Sequence, residues 1–80
     1  MAAMSARPVK RSLTLRGHRT SVSLEDEFWQ AFREISEEKS MALNVLAAEI
    51  DERRGVDAGL ATAIRLYVLA YYRDRARQKE

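Results

Sequence analysis

The feature that most constrains this chain is a strand-like segment that passes directly into a helix. In residues 18–29, "HRTSVSLEDEFW", polar and apolar residues alternate up to Leu24, and acidic residues then open a helical pattern. The alternation puts Thr20, Val22 and Leu24 on one side and Arg19, Ser21 and Ser23 on the other. A single strand has two unpaired edges and is unstable alone. The simplest solution is a partner strand from a second copy of the chain, paired antiparallel about a two-fold axis.

The segment before this strand is also extended, but its apolar residues are out of phase with those of the strand. In residues 12–16, "SLTLR", Leu13 and Leu15 share one side, so the apolar positions change from odd to even numbers across Gly17. One flat strand cannot serve both halves, which predicts a bulge or bend at Gly17. Residues 1–11 are small, polar and basic, and we expect them to form a flexible arm.

Apolar residues at helical spacing predict three helices after the strand, which covers about 18–23. We expect helix A at about 24–38 with Ser23 as its N-cap, helix B at about 42–54, and a third helix from 57 or 58 to 77. The third helix is apolar nearly all round, so one of its sides is predicted to be a partner surface. The predicted organisation is an arm over 1–11, a strand with two helices over 12–55, and a C-terminal helix with a short tail over 56–80.

A chain of 80 residues buries a modest core, and its usual supports are disulfides, a metal or oligomerisation. The chain has no Cys and one His, which excludes disulfides and Cys/His zinc sites and leaves oligomerisation. We therefore expect a dimer. Its predicted core is formed by Thr20, Val22, Leu24, Phe28, Phe32, Ile35, Leu43, Leu46, Ile50, Ile64, Tyr67 and Val68.

Charge is distributed unevenly along the chain. Residues 1–24 hold five basic residues and no acid, whereas residues 25–54 hold nine acids and four bases. A basic segment on an acidic body predicts a polyanionic partner for that segment, the alternative being a solvated tail. No apolar run is long enough for a membrane span, and the first residues lack the apolar core of a signal peptide. We expect a cytoplasmic protein with no membrane partner.

The candidate chemical groups predict binding rather than catalysis. Ser23 has no accompanying base, His18 has no second His and no nearby acid, and Gly17 stands alone rather than in a phosphate-binding loop. We expect no enzyme activity, no cofactor and no metal. A ribbon formed by two such strands would expose its polar side chains, and a two-stranded ribbon fits the major groove of B-DNA.

Residues 19–50, "RTSVSLEDEFWQAFREISEEKSMALNVLAAEI", resemble the ribbon-helix-helix DNA-binding proteins, which read DNA with a β-ribbon. A wider run over about 10–72, with "KRSLTLRGHRTSVSLEDEFW" and "LATAIRLYVL", looks like a longer bacterial subgroup with a third helix. The resemblance implies a mainly helical fold with one short strand per chain, in an intertwined homodimer joined by an intermolecular antiparallel ribbon. Before helix B the family usually has Gly, then a Ser or Thr cap, then Asn or Ser. Here those places hold Ser40, Ala42 and Asn44.

The resemblance also implies a dimer that binds double-stranded DNA and regulates transcription. Base contacts are predicted for Arg19, Ser21 and Ser23, since Arg pairs bidentately with guanine, and the alternative for Arg19 is pairing with Glu25 or Asp26 of the dimer partner. Phosphate contacts are predicted for Lys10, Arg11, Arg16, His18, Ala42, Leu43 and Asn44. A second hypothesis is an antitoxin-like or adaptor protein whose third helix binds a protein partner, with DNA binding secondary or absent.

Overall fold

The structure, a computed structural model, describes residues 7–78 as two strands followed by three helices. The elements are β1 (Val9–Leu15), β2 (His18–Leu24), α1 (Asp26–Glu38), α2 (Leu43–Arg53) and α3 (Leu60–Gln78). The strands form an antiparallel ribbon whose inner face lies on the helices. This confirms the predicted architecture of a ribbon, two helices and a third helix. Within the described range, no helix has the length and apolar character that a membrane crossing needs.

The two strands are joined by a two-residue turn. Leu15 pairs with His18, which leaves Arg16 and Gly17 as the loop. Both loop residues have positive φ, 52° at Arg16 and 84° at Gly17, as the tight type I′ hairpin turn requires. The turn explains the change of phase across Gly17, because each odd-numbered residue of β1 lies opposite an even-numbered residue of β2. The predicted bulge or bend is therefore a hairpin turn.

The structure corrects the origin of the second strand of the ribbon. The predicted strand at 18–23 pairs with β1 of its own chain, so one of its edges is occupied without a second copy. Residues 9–11, predicted to belong to the flexible arm, are the first residues of β1. Residues 1–6 of the predicted arm lie outside the described residues.

The hydrophobic core closes within one chain. The inner face of the ribbon and one face of each helix supply its buried side chains, which are Leu13, Val22, Leu24, Trp29, Phe32, Ile35, Leu46, Ala47, Ile50, Ile64 and Val68. Of the residues predicted for a dimer core, Phe28, Leu43, Tyr67 and Thr20 are only partly buried, and the others are buried in this single chain. Leu13, Trp29 and Ala47 are also buried, although they were not among the residues predicted for the dimer core.

The helix starts differ from the predicted caps. Ser23 is exposed within β2, and Glu25 takes the N-cap position of α1 without a side-chain cap hydrogen bond. The strand continues to Leu24 because this buries the Leu24 side chain completely. Ala42 at the start of α2 also makes no side-chain cap, in keeping with the missing Ser or Thr. Ser40, which stands where the family has Gly, has a φ of 53°, a left-handed conformation that costs a non-glycine residue about 1–2 kcal/mol.

The third helix starts slightly later than predicted. A turn closed by the Ala58 N–H donating to the Gly55 carbonyl precedes it, and Arg54 donates to the Ala58 carbonyl at 2.8 Å. These bonds hold residues 55–58 in a loop, so α3 begins at Leu60.

Ion pairs attach α3 to both ends of α1. Arg65 contacts Glu25 at 2.9 Å just before α1 begins, and Arg75 contacts Glu38 at 2.7 Å where α1 ends. The two helices therefore run in the same direction. Tyr71 also donates a hydrogen bond to Glu38, at 2.6 Å. The Arg75 and Tyr71 hydrogen bonds together hold the pKa of Glu38 below its usual value.

Candidate nucleic-acid interface

One face of the ribbon is exposed along its whole length. Side chains alternate across a strand, so this face takes every second residue of each strand. Its six side chains, which we call the ribbon face, are Lys10, Ser12, Thr14, Arg19, Ser21 and Ser23, and all are exposed. They comprise two cations and four hydroxyls and include no acid. Such a surface attracts a polyanion.

The ribbon face contains all three residues predicted to contact bases. Arg19, Ser21 and Ser23 lie along β2 at alternate positions, and Lys10, predicted to contact phosphate, lies opposite Ser23. The structure thus brings one predicted phosphate contact onto the same face as the predicted base contacts.

The prediction missed the other half of this face, which lies on β1. Ser12 lies opposite Ser21, and Thr14 lies opposite Arg19. The alternation of residues 12–16 already put Leu13 on one side of the strand and its neighbours Ser12 and Thr14 on the other. The burial of Leu13 on the inner face means that this other side points outward. This sequence signal becomes readable only once the turn at Gly17 places β1 beside β2.

Arg19 makes no hydrogen bond or ion pair to any described residue. Its alternative role was to pair with Glu25 or Asp26 of a dimer partner. Within one chain, Glu25 already contacts Arg65 and Asp26 already contacts Arg11. Both carboxylates therefore have a cation of their own, which leaves Arg19 available to an external ligand.

Arg11 lies under the ribbon rather than on its exposed face. Its Nη2 atom contacts Oδ1 of Asp26 at 3.0 Å, and its guanidinium carbon lies 5.3 Å from the centre of the Trp29 ring. Its Nε atom is buried and has no hydrogen-bond partner among residues 7–78. This position does not support the predicted phosphate contact. The side chain instead connects β1 to α1 through an ion pair and a cation–π contact.

The turn of the ribbon carries two more predicted phosphate contacts, Arg16 and His18. Arg16 forms an ion pair with Glu52 of α2, and this hydrogen-bonded pair raises the pKa of Arg16 further above its usual value. His18 is exposed at the start of β2. Both residues line a cleft of about 400 Å³ beneath the turn, together with Asp51 and Arg54. A phosphate at this cleft would compete with carboxylates for the arginines.

The start of α2 is attached to the outer edge of β1. Asn44 Oδ1 accepts a hydrogen bond from the backbone N–H of Thr14 at 3.0 Å. Ala42 is exposed and Leu43 is partly buried. The first N–H groups of a helix lack partners within the helix, so these residues offer donors close to the ribbon. The Asn44 side chain itself is already engaged by β1.

The second strand keeps one unpaired edge. Residues that flank a two-residue turn exchange both backbone hydrogen bonds, and such pairs alternate along an antiparallel ribbon. The backbone groups of Arg19, Ser21 and Ser23 consequently point away from β1. Over the part of the chain that the structure describes, Ser23 O has a partner at this edge, Arg65 Nη2 at 3.4 Å, and Arg19 and Ser21 have none. The edge is available to another strand.

A family model described as a ribbon-helix-helix domain matches residues 8–72, which include both strands, α1, α2 and most of α3. No curated protein and no solved structure gives a significant match.

Proposed function

The chain belongs to the ribbon-helix-helix family, and on that premise we propose that it is a DNA-binding transcriptional regulator that reads the major groove with its ribbon face. The observation that carries the proposal is the composition of that face, with cations and hydroxyls on two adjacent strands and no acid. The family generally comprises DNA-binding regulators or antitoxins, which is consistent with this role.

The spacing of the side chains on β2 suits stacked base pairs. Alternate residues of a strand are about 6.6–6.8 Å apart, which is close to two base-pair steps of about 3.4 Å. In this proposal Arg19 would donate two hydrogen bonds to guanine, and Ser21 and Ser23 would exchange single hydrogen bonds with base edges. Each side chain would thus meet a different base pair along the groove.

We propose that two copies pair through the unpaired edges of β2, about a two-fold axis close to Ser21. The result is a sheet of four strands with the two copies of β2 at its centre. Neighbouring strands are about 4.8 Å apart and the major groove is about 12 Å wide, so the central pair enters the groove. The two copies of β1 then lie over the groove walls, where Lys10 meets phosphate.

A second candidate is an antitoxin-like or adaptor protein whose third helix binds another protein. The observation that favours it is the exposure of Leu66 and Leu69 on α3. A folded protein that shows no binding to duplex DNA at low salt would select this candidate over the regulator.

The test of the regulator begins with selection of bound sequences from random duplex DNA by the full chain, at a stated salt concentration. Titrations of the selected site and a scrambled site follow, for wild type and for Arg19→Ala. An Arg–guanine pair contributes about 1–3 kcal/mol of discrimination, so Arg19→Ala should weaken binding to the selected site about tenfold or more. Binding to the scrambled site should change much less.

The matched control is Arg33→Ala, which removes the same charge from the exposed surface of α1. This variant should weaken binding to both DNAs slightly and equally. Equal losses on the two sites for Arg19→Ala would assign Arg19 to the DNA backbone and overturn its role in base reading.

A further inference from the structure

The third helix has a second apolar strip on the side opposite the core. Its buried face carries Ile64 and Val68. Its opposite face carries Leu66 and Leu69, whose exposed fractions are 58% and 51%. Single exposed leucines are common on protein surfaces, but here two of them lie on adjacent turns of the same helix.

The exposed strip has the spacing of a coiled-coil seam. Its residues, which we call the outer seam, are Thr62, Leu66, Leu69, Arg73 and Ala76. They are separated by four, three, four and three positions, which is the repeat that keeps one face of a helix against a partner helix. Among these residues the two leucines occupy central positions.

An apolar groove adjoins the seam. It has a volume of about 320 Å³ and lies between the end of α2 and the first turns of α3. Leu66 belongs both to the seam and to the rim of the groove, whose lining also includes Ile50, Ala63, Tyr67, Arg53 and Arg54.

We propose that the outer seam docks against the outer seam of a second copy of this chain, with the two helices antiparallel. In that arrangement Leu66 of one copy packs on Leu69 of the other, and Thr62 packs beside Arg73. The surface is self-complementary about a two-fold axis, because each of these pairs occurs twice in the interface. A parallel arrangement would instead place Arg73 against Arg73.

The charge distribution of α3 supports the antiparallel choice. Residues 57–64 contain one acid and no base, whereas residues 73–78 contain three arginines and one acid. Antiparallel helices bring residues 73–78 of each copy beside residues 57–62 of the other, which carry no base, and they also oppose the two helix dipoles favourably. Parallel helices would bring basic halves together, which costs free energy.

The seam is independent of the ribbon edge proposed for dimerisation, and it does not require DNA. Its area is small compared with the roughly 1,000 Å² of a stable interface, so association through the seam alone should be weak. It adds to affinity where two copies are already close, as on a shared DNA site.

Cysteine cross-linking tests the register directly, because the chain contains no Cys. We would prepare Leu66→Cys and Leu69→Cys separately, one of them with a mass tag, and oxidise each alone and the two mixed. The antiparallel register predicts that the mixture forms a cross-link between the two variants several-fold more than either variant forms with itself. The matched control is Val45→Cys on α2, which is 50% exposed and lies off the seam.

A second measurement removes the seam. Leu66→Glu with Leu69→Glu should weaken at least tenfold, in sedimentation velocity, the association of β2-edge dimers into larger species, while circular dichroism and the urea midpoint stay unchanged. Val45→Glu should leave self-association as in wild type. Three outcomes would each overturn the proposal. The first is efficient cross-linking of Leu66→Cys with itself, and the second is cross-linking of Val45→Cys equal to that of the mixture. The third is unchanged association of the double glutamate variant. The cross-linking and sedimentation tests use no DNA, so their results would hold even if the protein did not bind DNA.

Discussion

The guanidinium of Arg11 lies between the carboxylate of Asp26 and the indole ring of Trp29, where it connects β1 to α1. A partly buried Arg of this kind stabilises through its packed stem as well as through its charge. Its neighbour Lys10 is exposed on the opposite face of the same strand. Two adjacent basic residues therefore lie in different environments, which are set by the alternation of the strand.

We predict that Arg11→Ala lowers the free energy of unfolding by about 1–2 kcal/mol, because it removes the ion pair, the ring contact and the packed stem together. Lys10→Ala should change stability by less than about 0.5 kcal/mol. Urea melts followed by the fluorescence of Trp29, the one Trp of the chain, would measure both.

The variants Lys10→Ala and Arg11→Ala also distinguish a structural effect on DNA binding from an electrostatic one. Lys10→Ala should reduce the salt slope of DNA binding by about 1 for each phosphate that the Lys10 side chain neutralises. Arg11→Ala should leave that slope unchanged in the folded protein. A reduced slope for Arg11→Ala, with stability intact, would return Arg11 to the residues that bind phosphate.

At the scale of the elements, the hairpin turn depends on the left-handed backbone of Gly17. Gly17→Ala should destabilise the protein by about 1–2 kcal/mol, because a side chain is strained at positive φ even though no neighbouring atom would touch its Cβ. Gly59→Ala is the control, since that position has equally open space and no such φ. It should be neutral or stabilising by up to about 1 kcal/mol in the same urea melts. Equal effects of the two substitutions would show that the turn is not under this constraint.

The contacts between α1 and α3 should make stability depend on pH. Arg75 and Tyr71 lower the pKa of Glu38 from its usual 4.5, so this group stabilises the fold above that pH and the contribution disappears as pH falls through the lowered folded value. Wild type should therefore be more stable than Glu38→Gln at pH 7, and the difference should shrink as the pH falls below 4.5 and through the lowered folded pKa.

Chemical denaturation between pH 3 and 7 would measure this difference. The adjacent Glu37→Gln is the control, because the Glu37 side chain is exposed on the same turn of α1. A difference for Glu38→Gln that persists unchanged at pH 3 would mean that packing, rather than charge, holds α3 at this end.

The sequence predicted the elements whose periodicity is long, and it failed where two short segments had to be related in space. The apolar spacing of Phe28, Phe32 and Ile35 predicted α1 to within two residues at each end. The extended character of residues 12–16 was also predicted, but the phase change at Gly17 has two physical solutions, a bulge within one strand or a turn between two. Only the backbone hydrogen bonds distinguish a bulge from a turn, and no residue type in the segment indicates which hydrogen bonds form.

The candidate site was also predictable only in part: the positions on one strand were predicted, and those that depend on contacts between elements were not. Arg19, Ser21 and Ser23 follow from the alternation of β2 alone. The inward position of Arg11 could not be predicted from the sequence. A basic residue in a basic segment does not indicate that Asp26 and Trp29 will lie beneath it in the fold. Ser12 and Thr14 required the correct strand pairing first.

At the scale of the whole molecule, the proposed dimer uses the free edge of β2. Ser21→Pro should block pairing at that edge without removing a hydrogen bond to β1, because the Ser21 N–H points away from β1. The matched control is Ser12→Pro, which places proline at the equivalent position on the outer edge of β1.

Sedimentation equilibrium should then find that Ser21→Pro weakens the dimer strongly and that Ser12→Pro does not. The reverse result would move the dimer contact to β1. A wild-type protein that stays monomeric at all concentrations, with a urea midpoint that ignores concentration, would end the dimer proposal.

Because the core closes within one chain, the two halves of such a dimer can separate without unfolding. Subunit exchange would then be governed by dissociation of a strand edge rather than by the slow opening of a shared core. Mixed pairs of a wild-type chain and a variant would form simply on mixing. A mixed dimer with one altered ribbon face would bind DNA poorly, although its other chain is normal. A defective copy would therefore act dominantly over an intact copy.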